Sequence, residues 1–423
     1  MPKSTAITII VVTLLLIAGG LGWWYYSLGT GTGAGETGSE KDGILNNFFP
    51  FGENAEQTRN TESGKTNSEN KNAETENAPQ VRQISELPVA GFLPLNDNLG
   101  FPFVRYVEQE TGHVYDAPLQ IVSKKRISNT TIPKAREVLW MPNGASFIIR
   151  YLDDKDIIQS FHATLKESAT STEDSAKDSE GTLSGKFLPE NISAVNLMPS
   201  GSAKTSPKII YMTTSALGIS VFTSEQDGAK ATKVYLNPLK DWLTFPISDS
   251  LAYLLSKSSG KAPSFAFSLN LKNGSVTETL SNIYGLSILP NKKGDLILYS
   301  DTNFGEPRLA LYDVNKKTIS PISLKTFADK CVWSADNATR IICAVPKVFP
   351  QGTYPDIWYQ GKVSFNDNLW EINATNGETK ELINLSGNSF FLDAAYISLS
   401  DKDRYVLILD KPTGTLWSVR LKE

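Results

Sequence analysis

A short apolar strand that ends in Pro or Ser recurs seven times within residues 81–423. Successive copies start 48, 57, 47, 44, 44 and 66 residues apart. A unit of this length that contains several short strands is typical of blades in a repeat protein, which must pack on one another to bury a common core. The seven copies are 91–94 (GFLP), 139–142 (LWMP), 196–199 (NLMP), 243–246 (LTFP), 287–290 (SILP), 331–334 (CVWS) and 397–400 (ISLS).

Each copy is followed by strands whose pattern changes outwards. The second strands are continuous apolar runs, as in 147–151 (FIIRY) and 296–299 (LILY), whereas third strands such as 416–419 (LWSV) alternate apolar and polar residues. Buried inner strands and half-exposed outer strands are expected of antiparallel sheets packed face to face. The sequence therefore predicts an all-β, seven-bladed β-propeller with four antiparallel strands per blade.

The last repeat ends after its third strand, at residues 416–421. Residues 81–85 (VRQIS) precede the first repeat in the way that residues 125–128 precede the second. We expect this N-terminal strand to complete the last blade and close the ring, because a closed ring leaves only short, protected strand edges.

Residues 6–26 form an uncharged, apolar run of 21 residues. At about 1.5 Å per residue, a helix of this length matches a hydrocarbon layer of roughly 30 Å. Lys3 precedes the run, and Trp23 to Tyr26 end it with aromatic rings suited to the headgroup region. We expect a signal-anchor with the N-terminus in the cytoplasm; the alternative is a cleaved signal peptide. Both interpretations export the propeller.

Residues 27–80 are polar and low in complexity, with nine Asp or Glu against four Lys or Arg. Such a composition predicts a disordered stalk with a mean reach on the order of 40 Å. One apolar run, 44–51 (ILNNFFPF), interrupts it and is expected to dock on the propeller, the membrane surface or a partner, or to have no fixed structure. The predicted domains are therefore an anchor at 1–26, a stalk at 27–80 and a propeller at 81–423.

Two strand-turn-strand units resemble the repeat of TolB-like propellers, in which a Ser/Pro-Asp-Gly turn joins two inner strands. They are residues 142–151 (PNGASFIIRY) and 333–342 (WSADNATRII). The likeness to TolB-like and WD-repeat-like propellers covers residues 81–423, although the Gly-His and Trp-Asp signals of WD repeats are absent. The resemblance implies a protein-binding or scaffolding role, since enzymes are a minority among such propellers.

Sequence motifs for catalysis, metal or cofactor binding are absent: the chain lacks H-E-x-x-H, C-x-x-C, G-x-S-x-G and the phosphate-binding loop. The two histidines, His113 and His162, are interpreted as solvent-facing strand residues. We therefore predict no catalytic residues, no metal and no cofactor. A net charge of −4 and a pI near 5.5 also argue against a nucleic acid partner.

Cys331 and Cys343 are the only cysteines and lie six residues on either side of Asn337, the centre of a predicted hairpin. This symmetry places them opposite each other on adjacent antiparallel strands, at a separation that a disulfide can span. We predict that they are bonded; the alternative is two buried thiols in the blade core.

The long connection at residues 346–362 joins a second strand to a third strand. It carries four aromatic residues, Phe349, Tyr354, Trp358 and Tyr359, which we take as the candidate binding site because exposed aromatics are enriched at interaction hot spots. The alternative is a loop that caps the propeller channel with its own aromatic cluster.

Two functions remain open at this stage. The first is a monomeric, membrane-anchored propeller of the cell envelope that binds or scaffolds a protein partner. The second is an envelope enzyme acting on polysaccharide or peptide, with carboxylates or Tyr lining the central channel. Paired carboxylates about 5–9.5 Å apart in an open cleft would favour glycoside hydrolysis.

Overall fold

The computed structural model describes residues 78–166, 181–199, 206–303 and 305–421. Within them lie 28 strands, one short helix and three 3-10 turns at Ala328–Lys330, Ser386–Asn388 and Asp401–Asp403. The strands are β1 (Val81–Gln83), β2 (Val89–Asn96), β3 (Pro102–Glu108), β4 (Val114–Pro118), β5 (Lys125–Arg126), β6 (Ala135–Trp140), β7 (Ser146–Leu152), β8 (Ile158–Lys166), β9 (Thr182–Phe187), β10 (Ile192–Leu197), β11 (Lys208–Ser215), β12 (Gly218–Glu225), β13 (Thr232–Asn237), β14 (Trp242–Pro246), β15 (Leu251–Ser256), β16 (Pro263–Asn270), β17 (Val276–Tyr284), β18 (Ser287–Pro290), β19 (Leu296–Asp301), β20 (Arg308–Asp313), β21 (Thr318–Ile322), β22 (Cys331–Trp333), β23 (Arg340–Pro346), β24 (Asp367–Asn373), β25 (Thr379–Ile383), β26 (Ala394–Leu399), β27 (Tyr405–Asp410) and β28 (Leu416–Arg420). The helix α1 is Asp356–Tyr359.

The strands form seven four-stranded antiparallel sheets, which confirms the predicted seven-bladed propeller. Blades 1 to 6 are consecutive groups of four strands, from β2–β5 to β22–β25, and blade 7 has the order β26-β27-β28-β1. Each of the seven sequence motifs lies in the first strand of a blade or at its end. No helix among the described residues is long and apolar enough to cross a bilayer. The predicted anchor at 6–26 and residues 27–77 of the predicted stalk at 27–80 lie outside the described residues, whereas 78–80 are described and Ala78 is buried.

The core consists of apolar layers between neighbouring blades. Among the described residues, seven buried clusters each combine side chains from two consecutive sheets, including the last and the first. Second strands such as β7 and β23 are almost wholly buried, because they contact blades on both sides, whereas the outer strand β21 is mainly exposed. The stability of the domain therefore depends on every blade having both neighbours.

β1 closes the ring, as its position before the first repeat predicts. Val81, Arg82 and Gln83 pair with Val419, Ser418 and Trp417 of β28. The strand belongs to two interfaces, because Val81 is buried in the core between blades 6 and 7, while Ile84 just beyond it is buried between blades 7 and 1.

Strand direction divides the connections between two faces. The insert face carries the connections from second to third strands and those between blades; the entry face carries the others. The described chain begins on the entry face, where the Ala78 N–H donates to the carbonyl of Gln120 in the β4–β5 connection (2.8 Å). The long connection at residues 347–366, here called the insert, lies on the insert face between β23 and β24.

Cys331 and Cys343 occupy directly opposed positions of β22 and β23 in blade 6. The structure contains a disulfide between them, with the two Cα atoms 4.0 Å apart. Both residues are buried in the core between blades 5 and 6. The bond joins the first strand of blade 6 to the strand from which the insert departs.

Candidate functional site

The insert folds over an aromatic cluster of its own. Phe327, from the connection between blades 5 and 6, lies at the centre of this cluster with no exposed surface. Its ring stacks on that of Trp358 with centroids 5.2 Å apart, and Tyr354 and Phe365 lie on other sides of it at 6.1 and 6.3 Å. Phe349 contacts it edge-on at 6.1 Å. These rings give the insert a small core separate from the blades.

The four aromatic residues of the predicted binding site have different environments. Tyr354 and Trp358 are only 2% and 3% exposed and are unavailable for contact with a partner, and Phe349 is half-buried. Tyr359 is 41% exposed. The structure brings all four together in one aromatic cluster and leaves Tyr359 the most exposed of them.

Hydrogen bonds also hold the insert to blades 4 and 5. The Asp356 carboxylate, at the start of α1, accepts from the Ser259 hydroxyl (2.8 Å) and the Gly260 N–H (2.7 Å) of the β15–β16 connection. The Thr302 hydroxyl of the β19–β20 connection donates to the Tyr354 carbonyl (2.9 Å). A Cβ at Gly260 would lie 2.2 Å from the same carbonyl, so this close approach requires glycine.

A fully buried ion cluster lies beneath the insert. The Lys330 ammonium is 2.8 Å from an Asp367 oxygen and 2.5 Å from an Asp393 oxygen, and these three side chains have 0–1% exposure. Lys330 ends the 3-10 turn that precedes β22, Asp367 begins β24, and Asp393 directly precedes β26. The cluster therefore joins blade 6 to the connections on both of its sides.

Trp358 links the insert to this ion cluster. Its indole N–H donates to both Asp393 oxygens at 3.1 and 3.0 Å, and the Phe365 N–H donates to the same carboxylate at 3.2 Å. The ammonium groups of Lys330 and Lys411 lie 4.8 and 4.9 Å from the centre of the indole ring. Cations at this distance are attracted to an aromatic face. Apolar, polar and ionic contacts thus fix the insert against blade 7 as well.

Asp367 and Asp393 share one ion-pair partner, the Lys330 ammonium. When both carboxyl groups are ionised, this group of three side chains has a net charge of −1. Burial raises the pKa of Asp367 to about 6, an effect that the nearby Lys330 reduces. One Asp367 oxygen accepts from Lys330 and from the Ala394 N–H (2.7 Å), and the other has no partner. Asp367 and Asp393 lie side by side, but they are sealed under the insert and bound to a cation rather than open to a substrate.

The Asp367 pKa predicts a pH-dependent stability. Because the folded state holds this proton up to about pH 6 and the unfolded state only to about 3.8, the stabilisation is complete below pH 3.8 and lost as the pH rises through 6. Relative to Asp367→Asn, which does not titrate, the wild type should lose roughly 2 kcal/mol between pH 4 and pH 7. Urea denaturation of both proteins across this range measures the difference. Parallel stability curves would contradict the assignment.

A second polar contact joins the insert to the connection between blades 5 and 6. The Tyr359 hydroxyl donates to the half-buried Asp329 carboxylate, 2.5 Å away. Burial raises the pKa of Asp329, and burial together with the negative charge of Asp329 raises the pKa of Tyr359 well above its ordinary value. The tyrosine therefore stays protonated and serves as a hydrogen-bond donor, not as a base, at neutral pH.

The outer surface of the insert and the adjoining connections carries exposed apolar side chains and several exposed charges, among them Glu306, which pairs with Lys325. Val348 in the insert is 68% exposed, and Phe391 in the connection before blade 7 is 67% exposed. Their segments adjoin through backbone hydrogen bonds from Lys347 N–H to the Asn366 carbonyl and from Asp367 N–H to the Leu392 carbonyl. Exposed lysines of the insert and of the β15–β16 connection lie on the same face: Lys261, Lys347 and Lys362.

The histidines differ from their interpretation as solvent-facing residues. His162 in β8 is 6% exposed, so that prediction is wrong for this residue; burial lowers its pKa, and its Nε2 atom has no hydrogen-bond partner. His113 is half-buried, with its Nε2 atom 3.1 Å from the Thr131 hydroxyl. Within the described ranges, no group of three or more His, Cys, Asp or Glu side chains is arranged to hold a metal ion.

The sequence pointed to the insert but not to Lys330, Asp367 and Asp393. The three charges lie in segments far apart in the chain, so no local spacing marks them. The available signal was the apolar context: Lys330 stands between Phe327-Ala328 and the core strand β22, and Asp393 lies between Leu392 and Ala394. A charged residue in such a context indicates a buried partner of opposite charge.

No family model matches the chain, and no curated protein matches it either. Similar solved structures include an oligogalacturonate lyase in complex with manganese (11% identity, 81% of this chain and 98% of that chain, TM-score 0.47). The Dos1 propeller is also similar (9% identity, 78% of each chain, TM-score 0.47). TolB from Acinetobacter baumannii is similar as well (10% identity, 64% of this chain and 59% of that chain, TM-score 0.41). At such identities these likenesses concern the fold.

Proposed function

We propose that this chain is a recognition or scaffold module that binds a protein partner on its insert face. The observation that carries the proposal is the exposure of Val348 and Phe391 on two adjoining segments that are otherwise firmly held. Apolar side chains presented by a rigid loop lose little conformational entropy on binding, which is a property of interaction hot spots. The proposal includes export of the propeller, with residues 6–26 as its membrane anchor and 27–80 as its stalk.

The firmness of the insert supports this role. Its aromatic core, the Asp356 contacts and the bond from Trp358 to Asp393 tie it to the connections of blades 4, 5 and 7. These contacts place Val348 and Tyr359 on a frame rather than on a free loop. A preorganised surface of this kind favours binding without a large rearrangement.

The charges nearby define the kind of partner. Lys261, Lys347 and Lys362 are exposed in or beside the insert, so a partner with an apolar centre and an acidic rim would be complementary to this surface. Rim charges of this type mainly increase the association rate and make it sensitive to salt. We therefore expect an acidic protein surface as the occupant of the insert face.

Photo-crosslinking from position 348 in the intact envelope tests the proposal. A crosslinking amino acid at Val348 should capture one protein specifically, and the Phe391→Ser variant should reduce the affinity, and with it the yield at limiting partner, about tenfold, which corresponds to ~1.4 kcal/mol. The double variant Lys347→Glu and Lys362→Glu should slow association several-fold at low salt. Mass spectrometry of the adducts and binding kinetics with the captured protein provide the measurements.

Leu217 and Leu239 offer a matched control on the same face. They are 76% and 63% exposed in blade 3 and in the connection that follows it, away from the insert. The Leu217→Ser and Leu239→Ser variants should leave the crosslink from position 348 unchanged. An equal yield from position 217, or a yield that is insensitive to Phe391→Ser, would refute a binding site at the insert.

A further inference from the structure

An exposed apolar patch lies on the entry face of blade 1. It comprises Leu99 (80% exposed), Phe101 (51%) and Val122 (59%), here called the blade-1 patch. The turn that presents the first two residues is fixed by Asp97, whose carboxylate accepts from the Leu99 N–H (2.9 Å) and the Phe101 N–H (2.8 Å). The patch is therefore preorganised although its side chains contribute little to the core.

The patch adjoins the point at which the described chain begins. Val122 belongs to the β4–β5 connection, whose Gln120 carbonyl accepts from the Ala78 N–H at 2.8 Å. Arg82 of β1 secures the same connection by donating to the Ile121 carbonyl (2.6 Å) and the Pro118 carbonyl (2.9 Å). The turn at Phe101 is close by, because the Leu119 N–H donates to the carbonyl of Pro102 (3.0 Å).

The chain upstream of Ala78 contains one segment of matching chemistry. Residues 44–51 (ILNNFFPF) form an apolar run within the otherwise polar stretch 27–80. Twenty-six residues, 52–77, separate this run from Ala78. A chain of that length has a mean reach of about 25–30 Å, which suffices to bring the run onto blade 1.

Charge agrees with the same pairing. Acidic residues flank the run on both sides, at Glu40, Asp42, Glu53 and Glu56, with Lys41 between the first two, so each flank carries a net negative charge. Exposed Lys124 and Lys125 follow Val122 after Ser123 on the propeller, and Lys124 also pairs with the exposed Glu86 at 3.5 Å. Opposite charges around a small apolar contact favour the correct orientation of the two surfaces.

We propose that residues 44–51 bind the blade-1 patch of their own propeller. Because the tether makes the two surfaces neighbours at an effective concentration in the millimolar range, even a contact with a dissociation constant near ~1 mM is substantially occupied. If residues 27–80 act as a stalk, docking leaves only residues 27–43 free. The mean reach of the stalk then falls from about 40 Å to about 22 Å.

Photo-crosslinking from position 101 of the full chain in detergent micelles tests this inference. We expect the crosslink to map to the peptide that contains residues 44–51. Replacing Phe48, Phe49 and Phe51 with Ser should reduce the yield at least fivefold, and Lys124→Glu with Lys125→Glu should reduce it at low salt. A crosslinking residue at position 217, which is 76% exposed on the other face, should give no product with residues 44–51.

Mixing isotope-labelled and unlabelled chains distinguishes the possible occupants. Products within one chain carry a single label state and support the proposal, whereas hybrid products would assign the patch to a second copy and overturn it. Crosslinks only to detergent, or yields insensitive to the Phe48, Phe49 and Phe51 replacements, would also overturn it. These variants leave the insert face intact, so the outcome is independent of the proposed partner site.

Discussion

Replacing Lys330 with Met is expected to lower the free energy of unfolding by about 3–5 kcal/mol. The change leaves Asp367 and Asp393 buried without the ammonium that pairs with both, and Met keeps the length of the side chain, so the loss is mainly electrostatic. Trp358 and Phe365 also lose a cation 4.8 and 5.0 Å from their ring centres. Urea denaturation at pH 7 measures the loss, and limited proteolysis within residues 347–366 reports whether the insert loosens first.

Two comparisons identify the cause of that loss. Lys325→Met, in the same inter-blade connection, removes a lysine whose side chain is 62% exposed and pairs with Glu306; it should change stability by no more than about 0.5 kcal/mol. Adding Asp367→Asn to Lys330→Met should restore part of the stability, because one uncompensated charge disappears. Equal losses of stability in the two lysine variants would show that the buried ion cluster contributes no more to folding than an exposed ion pair does.

Shortening Ile84 to Ala at the ring closure is expected to lower the free energy of unfolding by about 2–5 kcal/mol. The side chain is 5% exposed and packs between blades 7 and 1 with Phe92, Tyr405 and Leu407. A cavity here weakens the interface through which β1 unites the two ends of the propeller. Thermal and urea unfolding, monitored by tryptophan fluorescence and by far-UV circular dichroism, measure the change.

Ile319 provides the matched control for ring closure. It lies in β21, which is likewise the fourth strand of a blade, but it is 56% exposed. Ile319→Ala should therefore cost no more than about 0.5 kcal/mol. If Ile84→Ala were as mild as Ile319→Ala, closure by β1 would contribute little to the stability of the ring.

The parts of the fold that repeat were predictable because each blade imposes the same burial pattern on its strands. The apolar runs at β7 and β19 and the unpaired third strand at β28 indicated both the number of blades and the closing strand. The opposed positions of Cys331 and Cys343 followed from symmetry about one hairpin. Such features depend on local periodicity, which a single sequence displays directly.

The details of the site depend on contacts between distant segments. The aromatic content of the insert indicated that it matters, but it did not distinguish inward from outward rings: Trp358 packs on Phe327 from another connection. Lys330 and Asp393 are 63 residues apart and meet only because consecutive connections lie on one face. No pattern within a window of a few residues contains that information.

The position of β1 has a mechanical consequence. The strand connects the ring to everything upstream of Ala78 on the entry face, while the proposed partner lies on the opposite face, and the strands of a blade run from one face to the other. Tension between an upstream attachment and the partner would therefore act along β1 and load its hydrogen bonds to β28 together, in shear, instead of peeling them apart one by one. β1 is joined to β28 by strand pairing and not by a chain connection. It is thus oriented in the direction in which a paired strand best resists force.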